Sequence, residues 1–229
     1  MSDPFEAMRG GLVVSCQAPP GSPLAETAHL VALARAAEAG GAAGIRAEGV
    51  DSVAAVKEAV GVPVIGLLKR AVPGSDVYIT PEPGDARAVA AAGADVVALD
   101  ATLRARPGGA GVPDFACELG VPLLADVDSL EAGVAAREAG AAAVATTLAG
   151  YTDGRPVPEE PDLELVRTLA ARLDCPVIAE GRYATPADAR AALDAGAFAV
   201  VVGTAITDAV ALTRRFAAAL EGGPGGSPA

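Results

Sequence analysis

The chain has 229 residues, which favours one large core over two full domains and excludes a small disulfide-stapled module. Apolar residues make up 52% and charged residues 20%, excluding wholesale disorder; with aromatics at 3% and no Trp, the core must be built from Ala, Val, Leu and Ile. Twenty-nine acids against 17 bases, a formal charge of −12, argue against nucleic acid and anionic membranes as partners, but not against a small anionic ligand.

The opening residues Met1-Ser2-Asp3-Pro4-Phe5-Glu6 lack the basic-then-apolar order of a signal peptide. No apolar stretch reaches the ~18 residues of a membrane span, so a soluble, cytoplasmic protein is expected. Leu12-Val13-Val14-Ser15-Cys16 reads as a first strand, short and β-branched, as a strand buried on both faces should be. A helix over 27–39 follows and stops at Gly40-Gly41, where glycine adopts the left-handed conformation without strain.

From there two phrases alternate. The first is a helical tail, Gly-Ala, then an apolar run, repeated at Gly93-Ala94, Gly140-Ala141 and Gly196-Ala197. Its runs are Gly44–Glu48, Asp95–Leu99, Ala142–Thr146 and Ala199–Val202. The second is Gly61-Val62-Pro63-Val64-Ile65, echoed by Gly120-Val121-Pro122-Leu123-Leu124 and Asp174-Cys175-Pro176-Val177-Ile178. A proline at the first position of a strand removes no ladder bond.

Further helices are expected over 51–59, 84–92, 112–119, 128–139, 162–173, 185–195 and 208–220, with Asp51, Asp128, Asp162, Thr185 and Asp208 as N-caps. Eight strands alternating with eight helices predict an α/β fold, a (β/α)₈ TIM barrel in a single domain over residues 1–221. The competing arrangement is a doubly wound open sheet. Residues 222–229 form a Gly/Pro-rich tail expected to fray. Three long loops, 71–83, 103–113 and 150–161, all follow strands and so belong at the C-terminal mouth of a barrel.

The strand ends carry polar residues in turn: Gln17; Arg46 and Glu48; Lys69 and Arg70; Asp100 and Thr102; Asp126; Thr146 and Thr147; Glu180 and Arg182; Gly203 and Thr204. Solvation would explain any one of them; the whole set points to a hydrophilic pocket over an apolar core. Positive charge comes as fifteen Arg and only two Lys, Lys57 and Lys69. Lys57 reads as a solvated helix residue. Lys69 stands at the rim, and lysine can lose its proton at an accessible pH where guanidinium cannot.

Glu180 and Arg182, two apart on one strand, are expected to face the same way, as are Arg46 and Glu48. Ion pairs across the mouth are one use for them; a carboxylate for proton traffic and an arginine for an oxygen-rich ligand are another. Gly181 and Gly203-Thr204, on the seventh and eighth strands, fit the phosphate site frequent in these barrels, where backbone N–H groups meet the anion beside a helix N-terminus. His29 and the three cysteines, Cys16, Cys117 and Cys175, show no metal-ligand spacing and read as structural residues and free thiols. A magnesium site from Glu48, Asp100 and Asp126 is disfavoured by the interleaved Arg46, Lys69 and Arg182.

The chain resembles the bacterial N-acetylmannosamine-6-phosphate 2-epimerase family. The matching stretches include Gly10–Gln17, Ile45–Gly49, Ile65–Arg70, Asp100-Ala101-Thr102 with Arg104 and Arg106-Pro107, Thr146–Thr152, Ala179–Arg182 and Val202–Thr207. The resemblance implies a TIM barrel that interconverts N-acetylmannosamine 6-phosphate and N-acetylglucosamine 6-phosphate in sialic acid breakdown, without metal or organic cofactor. It implies Lys69 as catalytic lysine and Glu180 as its acidic partner. Gln17, Arg46 and Asp126 would contact the sugar, Tyr151 joins the substrate-binding set, and Gly181, Arg182, Gly203 and Thr204 would hold the phosphate. A homo-oligomer, a dimer, is expected. Asp208 departs from the family, which often has Arg after Ala-Ile-Thr, and Ala149 replaces a common Ser. Two alternatives stay open: an aldolase-type barrel using Lys69 as a Schiff base, and a sugar-phosphate-binding barrel impaired in catalysis.

Overall fold

The computed structural model describes residues 3–19, 21–116, 119–152, 154 and 157–221. Eight strands close a barrel in sequence order: β1 Leu12–Cys16, β2 Gly44–Glu48, β3 Val64–Leu67, β4 Val96–Asp100, β5 Leu123–Asp126, β6 Ala143–Ala145, β7 Val177–Glu180 and β8 Ala199–Val202. All neighbours pair in parallel, and Val13 opposite Val201 seals β1 to β8. The helices are α1 Pro4–Met8, α2 Thr27–Ala39, α3 Val50–Ala59, α4 Pro83–Ala91, α5 Val112–Ala116, α6 Leu130–Glu138, α7 Leu163–Arg172, α8 Pro186–Asp194, α9 Thr204–Thr207 and α10 Ala209–Glu221. The TIM barrel is therefore the observed architecture and the open sheet is not.

Successive side chains of a strand alternate between the inside of the barrel and the helical layer. Val13, Ile65, Leu67, Val96, Ala98, Leu124, Ala143, Ala145, Ile178, Ala199 and Val201 make one buried interior cluster. Their neighbours in sequence, such as Val14, Ile45, Val97 and Val144, pack outward with helix residues including Val53, Val56, Val89 and Leu169. With so few aromatics, close approach takes the place of bulk. A Cβ on Gly66 would lie 2.6 Å from Val89 Cγ1 and 2.8 Å from Ala94 Cβ, so β3 meets its helical cover only with glycine there.

Two helices were not expected. The first, α1, seals the N-terminal end of the barrel: Phe5 and Met8 join the interior cluster, and a Cβ on Gly44 would meet Met8 Sδ at 2.8 Å. The second, α9, is one turn long and separates β8 from α10. Asp162 and Thr185 cap α7 and α8 as expected, and Asp208 accepts Ala211 N–H at 2.9 Å to open α10. Asp51 and Asp128 do not cap. Gly49 at φ 89° opens α3, and Ser129 takes the Ala132 N–H of α6.

The prolines of the second phrase stand just before their strands, and the carbonyls of Pro63, Pro122 and Pro176 accept bonds from Ile45, Val97 and Val144. Lys57 is not merely solvated: its ammonium bonds both oxygens of Asp95 at 2.8 and 2.6 Å, and Asp95 also takes the Val64 N–H. Cys16 and Cys175 are free thiols, Cys16 buried and its thiol pushed up to about 11 by burial. Cys117 and the 222–229 tail lie outside the described residues. Among the described residues no helix is long and apolar enough to cross a membrane.

Candidate active site

Carrying each strand's inward set to its C-terminal end brings Ser15 and Gln17, Arg46 and Glu48, Lys69, Asp100, Asp126, Thr147, Glu180 and Gly203 around one mouth. Arg46 is buried, 1% exposed, and one guanidinium serves two carboxylates. It bonds Asp126 through two nitrogens, at 3.1 and 2.5 Å, and its Nη1 lies 3.0 Å from Glu180 Oε2. Thr147 ties the same two acids: its hydroxyl is 2.6 Å from Asp126 Oδ1 and 3.1 Å from Glu180 Oε2. Thr146 fixes the strand beneath, its hydroxyl accepting the Glu180 N–H and donating to the Glu180 carbonyl. Buried charges of this kind are tolerated only when paired and hydrogen-bonded.

Lys69 stands above this layer, open to solvent but ringed by protein. Its Nζ donates to Gln17 Oε1 at 2.6 Å, while its backbone N–H donates to Glu48 Oε1 at 3.2 Å. Burial, and then the positive charge of Arg46, hold the Lys69 ammonium below its ordinary pKa against the pull of Glu180, Glu48 and Asp126. Burial raises Glu180 above the usual carboxylate range, although Arg46 opposes it. Burial alone would lower Arg46, but Asp126 and Glu180 outweigh it and keep the guanidinium firmly charged. The mouth therefore joins a lysine biased toward the neutral amine to a carboxyl biased toward the protonated acid.

Two sequence expectations, for Arg182 and Asp208, change here, and the expected sugar contacts at Arg46 and Asp126 fall on buried residues. Arg46 and Asp126 were expected to touch a sugar. Asp126 exposes no surface and Arg46 almost none, so in this structure they form a floor beneath Lys69, Gln17 and Glu180. Arg182 was expected to face the same way as Glu180. The strand ends at Glu180, and positive φ at Gly181 (112°) and Arg182 (62°) breaks the alternation. The Arg182 guanidinium instead bonds the carbonyls of Ala149 at 2.5 Å and Glu160 at 2.8 Å, and lies 5.3 Å over the Tyr151 ring. It clamps the loop after β6, with Tyr151 at its outer edge. Asp208 was expected to cap the helix that directly follows β8. That place belongs to α9, with Gly203 at its N-cap, and Asp208 lies one turn further on.

Asp100, never exposed, accepts bonds from the Thr102 N–H and hydroxyl at 3.0 and 2.8 Å and from Arg104 at 2.5 Å. Arg106 donates to its carbonyl and stacks on Phe115 at 4.8 Å. Among the described residues no group of three or more His, Cys, Asp or Glu side chains is placed to hold a metal ion. A cleft of about 460 Å³ opens beside the mouth, lined by Leu103, Arg104, Asp128, Ser129, Gly150 and Thr152.

The composition gave no warning of Tyr78 and Ile79. The loop after β3 folds back so that Ile79 bridges Lys69 in antiparallel fashion and joins the interior cluster. Thr80 beside it is fully buried at φ 45°, held by the Ala98 carbonyl at 2.6 Å and by bonds to Leu68. Strain of this kind in a β-branched residue persists only where the surroundings over-determine it. Here it seats Ile79 under the mouth and leaves Tyr78 at the edge, its hydroxyl pushed up by burial and by Asp126 and Asp100. The one available signal was the length of the loop.

Residues 30–222 match the family model described as "Putative N-acetylmannosamine-6-phosphate epimerase". The chain belongs to this family. A Cutibacterium acnes relative that carries the 2-epimerase description is 50% identical over 221 residues, covering 94% of this chain and 96% of that one. The solved structure of N-acetylmannosamine-6-phosphate 2-epimerase from Clostridium perfringens superimposes with a TM-score of 0.90 at 38% identity, over 94% of this chain and 95% of that one. A thiamine phosphate pyrophosphorylase from Pyrococcus furiosus, at 19% identity and a TM-score of 0.61 over 92% of each chain, shares the fold alone.

Proposed function

We propose that this member of the family interconverts N-acetylmannosamine 6-phosphate and N-acetylglucosamine 6-phosphate by removing the C2 proton and returning it on the opposite face, in sialic acid breakdown in the cytoplasm. The observation that carries this reading is one mouth in which Lys69, held by Gln17, and Glu180, held by Arg46 and Thr147, are gathered, with burial lowering the lysine's pKa and raising the carboxyl's. Epimerisation needs a base that can also return a proton. It also needs an acid–base group for ring opening, because C2–H is acidified only in the open-chain aldehyde, where the anion spreads onto O1.

Lys69 is the base and proton source, and Glu180 assists ring opening and proton shuttling. Gln17 lies beside Lys69 in reach of the O1 and N-acetyl region. Arg46 and Asp126 act from below: Asp126 orients Arg46, whose charge favours neutral Lys69 and offsets the anion on O1. Phosphate is assigned to the turn Gly181-Arg182 and to Gly203-Thr204 at the head of α9, where backbone N–H groups can meet an anion. Ile206 and Thr207 N–H groups already bond back to Gly203 at 2.8 and 3.0 Å, leaving the groups before them for an anion. Arg182 serves that site chiefly by fixing the loop that carries Tyr151.

A dimer fits α10, which has no buried residue and exposes Phe216 at 74% and Leu220 at 83%. Sedimentation of the wild type and of Phe216→Ser with Leu220→Ser tests it. The test of function is a proton NMR time course of N-acetylmannosamine 6-phosphate in D₂O. Turnover with loss of the C2 proton signal is expected. Binding without exchange would overturn the reading in favour of an impaired binder, and borohydride trapping of a substrate–Lys69 adduct would favour the Schiff-base alternative.

A further inference from the structure

A polar chain runs from Lys69 away from the site into β1. Lys69 Nζ donates to Gln17 Oε1 at 2.6 Å, and Gln17 Nε2 donates to Ser15 Oγ at 2.8 Å. Ser15 is inward-facing, 8% exposed, and paired in register with Arg46. It is also wedged in place. Its carbonyl accepts the Thr207 hydroxyl at 2.9 Å, and a Cβ on Gly203 would meet Ser15 Cβ at 3.3 Å. Ser15 thus lies between the turn that heads α9 and the amide that meets the lysine.

A glutamine amide has one accepting end and one donating end, on a side chain with three torsions. Lys69 alone would leave that amide free to swing. With Ser15 holding the nitrogen, the oxygen stays on Nζ. When Lys69 is neutral it has two N–H donors and one lone pair. Fixing one N–H on Gln17 limits where the lone pair points, and proton abstraction requires it to point at C2–H.

We propose that Ser15 is a positioning residue for the proton transfer: its hydroxyl anchors the Gln17 amide, and the amide aims the Lys69 amino group. This rests on the reading of Lys69 as the base. The charged and titratable groups around Lys69 are Arg46 and Glu48 from β2, Asp126 from β5 and Glu180 from β7, with Tyr78 on the segment paired with it. All remain in a Ser15 variant, so any change at Lys69 is transmitted through Gln17.

The experiment measures kcat, KM and the pH dependence of kcat/KM for Ser15→Ala, Gln17→Leu and the double variant. Ser15→Ala is expected to lower kcat about 5–20-fold, the scale of a lost hydrogen bond and a loosened base, with KM within about twofold. In the Gln17→Leu background the same change should have no further effect. Because the ammonium loses a fixed acceptor, its proton is released more readily and the acid limb of kcat/KM moves to lower pH. The chain has two lysines, so side-chain ¹⁵N NMR follows Lys69 directly, with Lys57 on Asp95 as internal control. Only the Lys69 midpoint should fall.

Wild-type kcat in Ser15→Ala, an effect confined to KM, or full additivity in the double variant would each overturn the proposal. Should Ser15→Ala fold poorly, Ser15→Cys keeps the volume with a weaker acceptor, and wild-type kinetics in it would overturn the proposal equally. Activity surviving in Lys69→Ala would instead remove the underlying reading of the base. Loss of activity there, with normal Ser15 variants, removes this inference alone.

Discussion

The two ends of the barrel obey one rule and reach opposite results. At the N-terminal end the inward positions are apolar, and α1 closes them with Phe5 and Met8, so among the described residues nothing polar is left inside there. At the C-terminal end the same alternation delivers Arg46, Asp126, Glu180 and Lys69, and the plug there, Ile79, covers only part of the mouth. The N-terminal end can close because side chains without polar groups need only volume. The mouth stays open because each charge there needs a partner, and pairing three acidic or basic groups fixes their directions. Both ends hold the fold together, one by apolar packing and the other by paired charges, and only the second offers chemistry.

The largest effect is expected at the mouth: Lys69→Ala should lower kcat by about 10²–10⁴ and abolish C2 exchange while the melting temperature stays near wild type. Lys69→Arg should fail as well, since guanidinium keeps its proton. In the wild type, the neutral amine is the working form and its pKa is lowered, so kcat/KM should rise with pH through a midpoint below that of a free lysine. A midpoint at or above the ordinary lysine value would remove burial and Arg46 as the cause.

Arg46→Met should lose both stability and activity, because Asp126 and Glu180 are left buried without their cation. About 3–5 kcal/mol of unfolding free energy is expected to be lost, read by denaturant titration at neutral pH. A variant as stable as the wild type would show that the floor ion pairs are not structural.

Met8→Ala tests the opposite end. Removing this fully buried side chain should lower stability by about 2–5 kcal/mol, with kcat and KM within about twofold of wild type at a temperature where the variant is folded. An equal loss of kcat would mean that the two ends are mechanically coupled. The smallest effect is expected at Asp208→Ala, which removes the α10 cap and should reduce stability by about 0.5–2 kcal/mol, visible as lost helicity, with catalysis unchanged.

The barrel was legible in the chain because its signal is local and repeated. Each apolar run, each Gly-Ala stop and each proline-led strand start is a decision made within a few residues, and the eight runs appear as eight strands in sequence order. The list of polar strand ends was legible for the same reason: alternation alone places Gln17, Lys69, Asp126 and Glu180 at the mouth. Direction beyond the strand was not. Arg182 points at the carbonyls of Ala149 and Glu160 because Gly181 and Arg182 itself take positive φ, a choice no spacing encodes. That Arg46 lies beneath Lys69 and joins two acids from β5 and β7 is likewise a product of barrel closure. So is the plug at Ile79, set by contacts between segments far apart in the chain. Local alternation limits which residues can reach the mouth; barrel closure sets which of them meet, because pairing a buried charge is a three-dimensional condition that local patterning does not specify.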